Sequence, residues 1–430
     1  MILAGGKIYE TSEQPRLLDS LAGEISRTRQ TLSLDPEKVI NAADKLGKRA
    51  AAGEFSAMIS EFLPDFPQEY LRLAGEYLNG ESLRFRLKQE LGEYPAACRT
   101  IAPPYGLESA EVRLLPLGTL FHIAAGNMDG LPAFSVLEGL LTGNVNILKL
   151  PQADNGITVE ILRRLIEIEP EISPFVYVFD TPSTDVPAMK RMAAVSDGIV
   201  VWGGDEAVRA VRALAPPGAK LIEWGHKLGF AYISGYEDKP AELSALAKHI
   251  IDTRQLLCSS CQTIFIDAED MEEIREFCRE FLPYLEAAAH EAPVNDIGAA
   301  AEITLRKYSA RLEEHIGAEK SGREEFRGER CSLTACPDSR LELSYMYGSC
   351  LVKPLPREQI VTALRECAGN LQTVGLLCRR ESRGELTDIL AAAGVNRIMC
   401  AGKMSVSFCG EAHDGEYPLR RYVRVVNVEK

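Results

Sequence analysis

Apolar residues in the first hundred positions recur every three or four: Leu17, Leu18, Leu21 and Ile25, then Val39, Ile40, Ala43 and Leu46. That spacing predicts amphipathic helices. Asp35-Pro36 marks one start, because aspartate caps free N–H groups and proline fits a helix's first turn. Residues 57–91 continue in the same style, so 1–110 reads as a helical N-terminal region packed on the main body. From about Val112 the texture changes. Short apolar runs at 119–124, 145–149, 175–179, 198–202 and 220–223 alternate with helical segments, such as the one carrying Ile157, Ile161, Leu165 and Ile168. This alternation predicts an α/β domain over 111–228 with a mostly parallel sheet, whose ligands bind at the carboxyl ends of the strands.

A second α/β block is expected over 229–400, with strands at 229–234, 263–267 and 350–354. A helix over 241–257 precedes the second of these, and a charged helical stretch fills 270–320. Residues 321–339 read as a polar surface loop. At 401–430, strands at 404–408 and 422–428 flank the turn His413-Asp414-Gly415 and suggest an oligomerisation segment.

Composition narrows the function more than the fold. The net charge of −14 over 430 residues argues against a broad nucleic-acid surface, which needs clustered Lys and Arg. Eleven scattered cysteines suggest reduced thiols in a cytoplasm rather than a disulfide framework. The opening MILAGGKIYE lacks a basic region followed by a sustained apolar run, so no secretory signal is expected, and no stretch reads as a membrane span. Phosphate loops of the G-x-x-x-x-G-K-[ST] type, G-x-G-x-x-G and H-E-x-x-H are all missing.

Candidate chemistry then rests on five places. Cys258, in Arg254-Gln-Leu-Leu-Cys258-Ser-Ser-Cys261, sits where a small polar loop joins a helix to a strand. A thiolate there suits acyl or aldehyde chemistry, although a lone cysteine is more often a buried small hydrophobe. Cys258-x-x-Cys261 is also compatible with a zinc or thioredoxin-like pair, but no second C-x-x-C supplies further ligands, and no metal is expected. Asn127 follows the strand 119–124 and is either an oxyanion donor or a helix cap. Lys149 ends a strand, where it either reaches a ribose or phosphate or is simply solvated. Gly203-Gly204 after Trp202 either admits a ligand close to the backbone or makes a tight turn. Glu223 is a base or the partner of Lys227.

In order and spacing, this set resembles the aldehyde dehydrogenase superfamily. The matching pieces are Asn127, Gly143-Asn144 through Lys149, Gly203-Gly204, Glu223-Trp-Gly225-His-Lys227 and Cys258. Gly126-Asn127, Gly225-His226-Lys227, Cys258-Ser-Ser and His413-Asp414-Gly415 resemble more closely the LuxC-type acyl-CoA reductases. The resemblance implies an aldehyde-dehydrogenase-like α/β fold with a cofactor-binding domain and a catalytic domain. It implies Cys258 as nucleophile, the Asn127 amide and Cys258 N–H as oxyanion donors, and Glu223 as base. It places Lys149, Gln152, Trp202, Gly203, Gly204 and Gly225 along a nicotinamide dinucleotide. Gln152 stands where NAD-preferring relatives carry an acid, which favours NADPH over NADH. Tyr345-Met346-Tyr347-Gly348 departs from the E-x-F-G segment that holds the nicotinamide ribose. Cys261 replaces a frequent proline and could pair with Cys258 on oxidation.

The expected activity is NADPH-dependent reduction of a long-chain fatty acyl-CoA to aldehyde and CoA through an acyl-Cys258 thioester. An oxidative or CoA-acylating dehydrogenase on the same site, and an acyl-cysteine transferase without hydride transfer, are the alternatives. An acyltransferase or acyl-protein synthetase would be a partner, and a homo-oligomer is expected.

Overall fold

Strands of β-branched and aromatic residues, many of them followed by a helix, build two sheets of seven strands in a computed structural model. The structure describes residues 1–62, 75–95, 98–102, 104–106, 109–124, 130–152, 154–292, 298, 301, 303–305, 308–309, 312 and 322–429. The chain forms two compact units, residues 1–225 with 408–430 and residues 226–407.

In the first unit the sheet comprises β1 (Ile2–Ala4), β2 (Lys7–Tyr9), β5 (Thr119–Ile123), β6 (Val145–Lys149), β7 (Val176–Phe179), β8 (Gly198–Trp202) and β9 (Lys220–Trp224). Their order is β2-β1-β7-β6-β5-β8-β9, and β5 to β9 run parallel. Every residue of β6 and β7 is buried, as expected of parallel strands covered on both faces. β1 and β2, which the apolar pattern does not predict, extend one edge, with β1 antiparallel to β7 and β2 antiparallel to β1. A separate sheet joins β3 (Cys98–Ile101), β4 (Ala110–Pro116) and β17 (Val423–Glu429), with β17 antiparallel to β4 along its whole length.

The helical prelude is present as Gln14–Thr31, Pro36–Ala51, Ser56–Phe62 and Gly80–Leu91. Asp35 accepts from the Glu37 N–H at 2.9 Å, the cap expected from Asp35-Pro36. The predicted faces, Leu17 to Ile25 and Val39 to Leu46, are buried in the same core as β5 to β9. Each buried Leu, Ile or Val of these faces contributes about 1.5–3 kcal/mol of hydrophobic stabilisation.

In the second unit the sheet order is β12-β13-β14-β11-β10-β15-β16. These strands are β10 (Leu228–Ile233), β11 (Cys261–Ile266), β12 (Glu324–Arg327), β13 (Ser332–Ala335), β14 (Ser349–Pro354), β15 (Leu371–Leu377) and β16 (Arg397–Met399). All neighbours pair in parallel except β12 with β13. Two expectations fail here. Residues 321–339 hold β12 and β13 rather than a plain loop, and β13 is wholly buried. Residues 404–408 form no strand, because the Met404 and Val406 carbonyls accept from the Arg397 guanidinium instead of a neighbouring strand. The charged helix is Met271–Glu291.

Candidate active site

Cys258 is exposed in the loop 253–260 of the second unit. The preceding helix, Lys239–Asp252, stops short of the expected residue 257. Arg254 (φ 50°) and Gln255 (φ 59°) adopt left-handed backbone, which cannot continue a right-handed helix. The Ser260 N–H donates to the Leu257 carbonyl at 2.9 Å, closing a turn that contains Cys258. The Ser260 hydroxyl accepts from the Leu257 N–H at 3.0 Å. Leu256 and Leu257, 46% and 41% exposed, place apolar surface beside the thiol.

Buried polar side chains hold this loop from below. The Gln255 amide donates to the Cys261 carbonyl and to the Ser344 hydroxyl, each at 2.9 Å, and accepts from the Gly348 N–H at 3.0 Å. Gln262 donates to the Gln255 carbonyl at 2.7 Å and accepts from the Ser344 hydroxyl at 2.7 Å. The Tyr347 N–H donates to the Arg254 carbonyl at 3.1 Å. Met346 and Tyr347 are themselves left-handed, at φ 65° and 51°. Two strained residue pairs therefore clasp each other through buried hydrogen bonds. From another side Ser259 meets Ser405, Oγ to Oγ at 2.8 Å. His249 bonds the Ser259 backbone, and its Nε2 is buried with no partner among the described residues. Burial pushes His249 down to about 4, so the imidazole is neutral at pH 7.

Cys261 differs sharply from Cys258. It is fully buried in β11, with Sγ 3.5 Å from the Thr263 carbonyl, in a core that also holds Cys278, Cys331 and Cys350.

The remaining candidates belong to the first unit. Lys149 ends β6 and is buried, not solvated, with Nζ donating to the Ser183 hydroxyl at 3.0 Å. Burial lowers its pKa, and Asp180 opposes that shift. Gln152 is exposed just beyond. Trp202 ends β8 and lies opposite Trp224, the end of β9. The two indoles stack at 5.5 Å, and His413 packs on both at 5.4 and 5.0 Å. Gly204 precedes the helix Asp205–Leu214, whose N-terminus has no side-chain cap, and open space surrounds the Cβ positions of Gly204 and Gly225. Glu223 accepts from Arg212 at 2.6 and 2.7 Å, which lowers its pKa, while Lys227 donates to the Gly369 carbonyl. Lys149, Trp202, Gly203 and Glu223 thus share the carboxyl edge of one sheet. Asn127 follows β5 but lies outside the described residues.

Three side chains that sequence reasoning passed over form a buried chain behind this edge. Asn146 donates from Nδ2 to the Asn144 carbonyl, so its Oδ1 accepts from His122 Nε2 at 3.0 Å. His122 Nδ1 then accepts from the Ser135 hydroxyl at 2.7 Å, and Ser135 accepts from Trp202 Nε1 at 3.1 Å. The only advance signal is polar residues inside apolar runs: His122 in Leu-Phe-His-Ile and Asn146 in Val-Asn-Ile-Leu.

The sequence profile of the acyl-CoA reductase (LuxC) family matches residues 32–425. Similar proteins include long-chain acyl-protein thioester reductase 2 of Photobacterium leiognathi, 26% identical over 332 residues, 74% of this chain and 66% of that protein. The long-chain acyl-protein thioester reductase of Photorhabdus luminescens is 25% identical, over 75% of this chain and 66% of its own length. The chain thus matches just under two thirds of the length of these relatives. The fold is that of aldehyde dehydrogenases. The NAD-dependent benzaldehyde dehydrogenase from Corynebacterium glutamicum superposes with a TM-score of 0.69 at 14% identity, over 99% of this chain and 92% of that one. Aldehyde dehydrogenase 21 from Physcomitrella patens gives 0.72 at 12% identity, over 98% and 90%.

Proposed function

The chain belongs to the acyl-CoA reductase (LuxC) family, and on that premise we propose that it reduces a long-chain fatty acyl thioester to the aldehyde, with Cys258 as the covalent carrier. One observation carries the reading: an exposed cysteine in a tight turn, flanked by exposed Leu256 and Leu257 and held by buried polar side chains. Such a thiol is open to substrate and fixed enough to add to a carbonyl carbon.

In this reading the Cys258 thiolate attacks the carbonyl of acyl-CoA. The Asn127 amide and the Cys258 N–H hold the oxyanion. Coenzyme A departs as its thiolate, leaving an acyl-Cys258 thioester that is still electrophilic. The first unit suits a nicotinamide dinucleotide. Open space at Gly204 and Gly225 admits a ligand against the backbone, and uncapped N–H groups suit a phosphate. Asp205 and Glu206 sit in that same helical turn, so Lys149 brings the positive charge. Trp202 and Gly203 would line the site, and exposed Gln152 brings no carboxylate to repel a 2′-phosphate, which favours NADPH. When bound, the nicotinamide supplies hydride to the acyl carbonyl. The resulting thiohemiacetal collapses, returning the thiolate and releasing aldehyde.

Glu223 is the base for the thiol in this scheme, and Arg212 restrains it. A carboxylate held by a guanidinium is a poor activator of water, which favours reduction over hydrolysis of the acyl-enzyme.

The test is intact-protein mass spectrometry after treatment with palmitoyl-CoA without nicotinamide. The expected result is a mass gain of one palmitoyl group on Cys258, lost as hexadecanal on adding NADPH. An adduct discharged only as free acid, or no adduct, overturns the reading. Turnover of aldehyde with NADP and CoA, with no reduction of palmitoyl-CoA by NADPH, would mark a CoA-acylating dehydrogenase instead.

A further inference from the structure

We propose that Gln255, clasped by Gln262 and Ser344, is the positioning residue that aims Cys258 at the acyl carbonyl. This inference rests on the acyl-transfer reading above. Gln255 is almost wholly buried, and three of its side-chain bonds leave no donor or acceptor of the amide idle. Its partners lie on two separate pieces of chain: the start of β11 at Cys261, and the segment before β14 that carries Ser344 and Gly348. Gln262 closes the circuit by holding the Gln255 carbonyl and the Ser344 hydroxyl together. Local folding alone would not choose this backbone. Arg254, Gln255, Met346 and Tyr347 all have positive φ, a region side-chain-bearing residues avoid. The clasp over-determines that conformation, and three residues later the same loop presents an exposed thiol.

A fixed loop matters for one kind of reaction at sulfur and not another. Attack on a thioester needs the sulfur, the carbonyl and the oxyanion donors in one geometry, whereas alkylation by a small, mobile reagent needs only an accessible thiolate. Gln255→Gly removes the clasp yet tolerates the left-handed backbone, because glycine enters that region readily. Ser344→Ala removes only the shared hydroxyl and is the gentler variant.

Two rates at Cys258 are compared in the full chain: transfer from palmitoyl-CoA and alkylation by iodoacetamide, both read by mass. In Gln255→Gly, acylation falls by at least about tenfold while alkylation stays within about twofold, and Ser344→Ala shifts the ratio in the same direction by less. Should Gln255→Gly fail to fold, Ser344→Ala decides. Equal acylation in variants and wild type overturns the inference alone, as does a parallel fall in both rates. Absence of acylation in the wild type overturns the acyl-transfer reading, and this inference with it.

Discussion

His122 is fully buried inside a parallel sheet, where burial pushes its pKa from 6.5 down to about 4 and the Asn146 bond only partly opposes this. Between those values the unfolded chain binds a proton that the folded chain does not. Stability therefore rises with pH across that window and is lost as pH falls from about 6.5 towards 4. At about pH 5 the loss is about 2 kcal/mol for this residue, and His249, shifted to the same value, behaves alike. Urea unfolding at pH 7 and pH 5 measures it, and His122→Gln should remove the His122 share of the difference. Arg212 offers a second residue-scale test. If Glu223 is the base for Cys258, Arg212→Leu frees the carboxylate and raises the rate of thiol alkylation near neutral pH severalfold, while Glu223→Gln abolishes the gain. Residues of this kind were unequally legible. Cys258 and Lys149 announce themselves by type and by place in a pattern. Gln255 stands in the quoted motif too, but its role depends on Ser344 and Gly348, nearly a hundred positions away, and no local spacing encodes that.

At the scale of elements, apolar runs with β-branched residues were legible along β5 to β9, but not at the wholly buried β13 and β15, where Ser332, Thr334, Gln372 and Thr373 interrupt the run. β6 and β8 have the expected bounds, and β5 and β9 differ by one residue. Short or edge elements were not. β1 and β2 carry only three residues each, and β12 alternates polar and apolar weakly while pairing on one side. The helix before Cys258 looked longer than it is, because Leu256 and Leu257 continue its apolar rhythm while facing solvent. One strand start has a direct role in the thiol loop. β10 shifts register at Gly229, whose Cβ would lie 2.5 Å from the Ser260 carbonyl oxygen and 2.9 Å from the Ser259 carbonyl carbon. Both contacts are backbone and cannot swing aside. Gly229→Ala must move the loop, with an overpacking cost of about 1–3 kcal/mol. Acyl transfer to Cys258 should fall by about tenfold or more, since small displacements of reacting groups carry large rate penalties; single-turnover acylation measures this.

On the scale of the whole molecule, strand and helix alternation made the α/β class readable and the motif resemblance implied the aldehyde-dehydrogenase-like fold, but neither gave how the chain shares its length between two units. The first unit is completed by a segment far along the chain. Tyr422 is fully buried there, its hydroxyl donates to Glu138 at 3.2 Å, and its carbonyl accepts from Leu117 and Asn144. Glu90 ties in the same segment by accepting from the Leu419 N–H at 2.7 Å, and Arg86 bridges Glu90 and Glu138. Tyr422→Ala should cost the first unit about 3–5 kcal/mol, as large aromatic truncations in cores do. Both tryptophans, Trp202 and Trp224, lie in that unit, so indole fluorescence during thermal unfolding reports it alone. The pairing of β17 with β4 also sets an order of events on the ribosome. At synthesis rates of about 5–20 residues per second, everything between residue 225 and β17 is made in roughly ten to forty seconds, while β4 waits with one edge bare. A nascent chain can therefore finish the thiol-bearing unit before the first unit. Until then, the exposed edge of β4 is what a chaperone, or a neighbouring nascent chain, would find first.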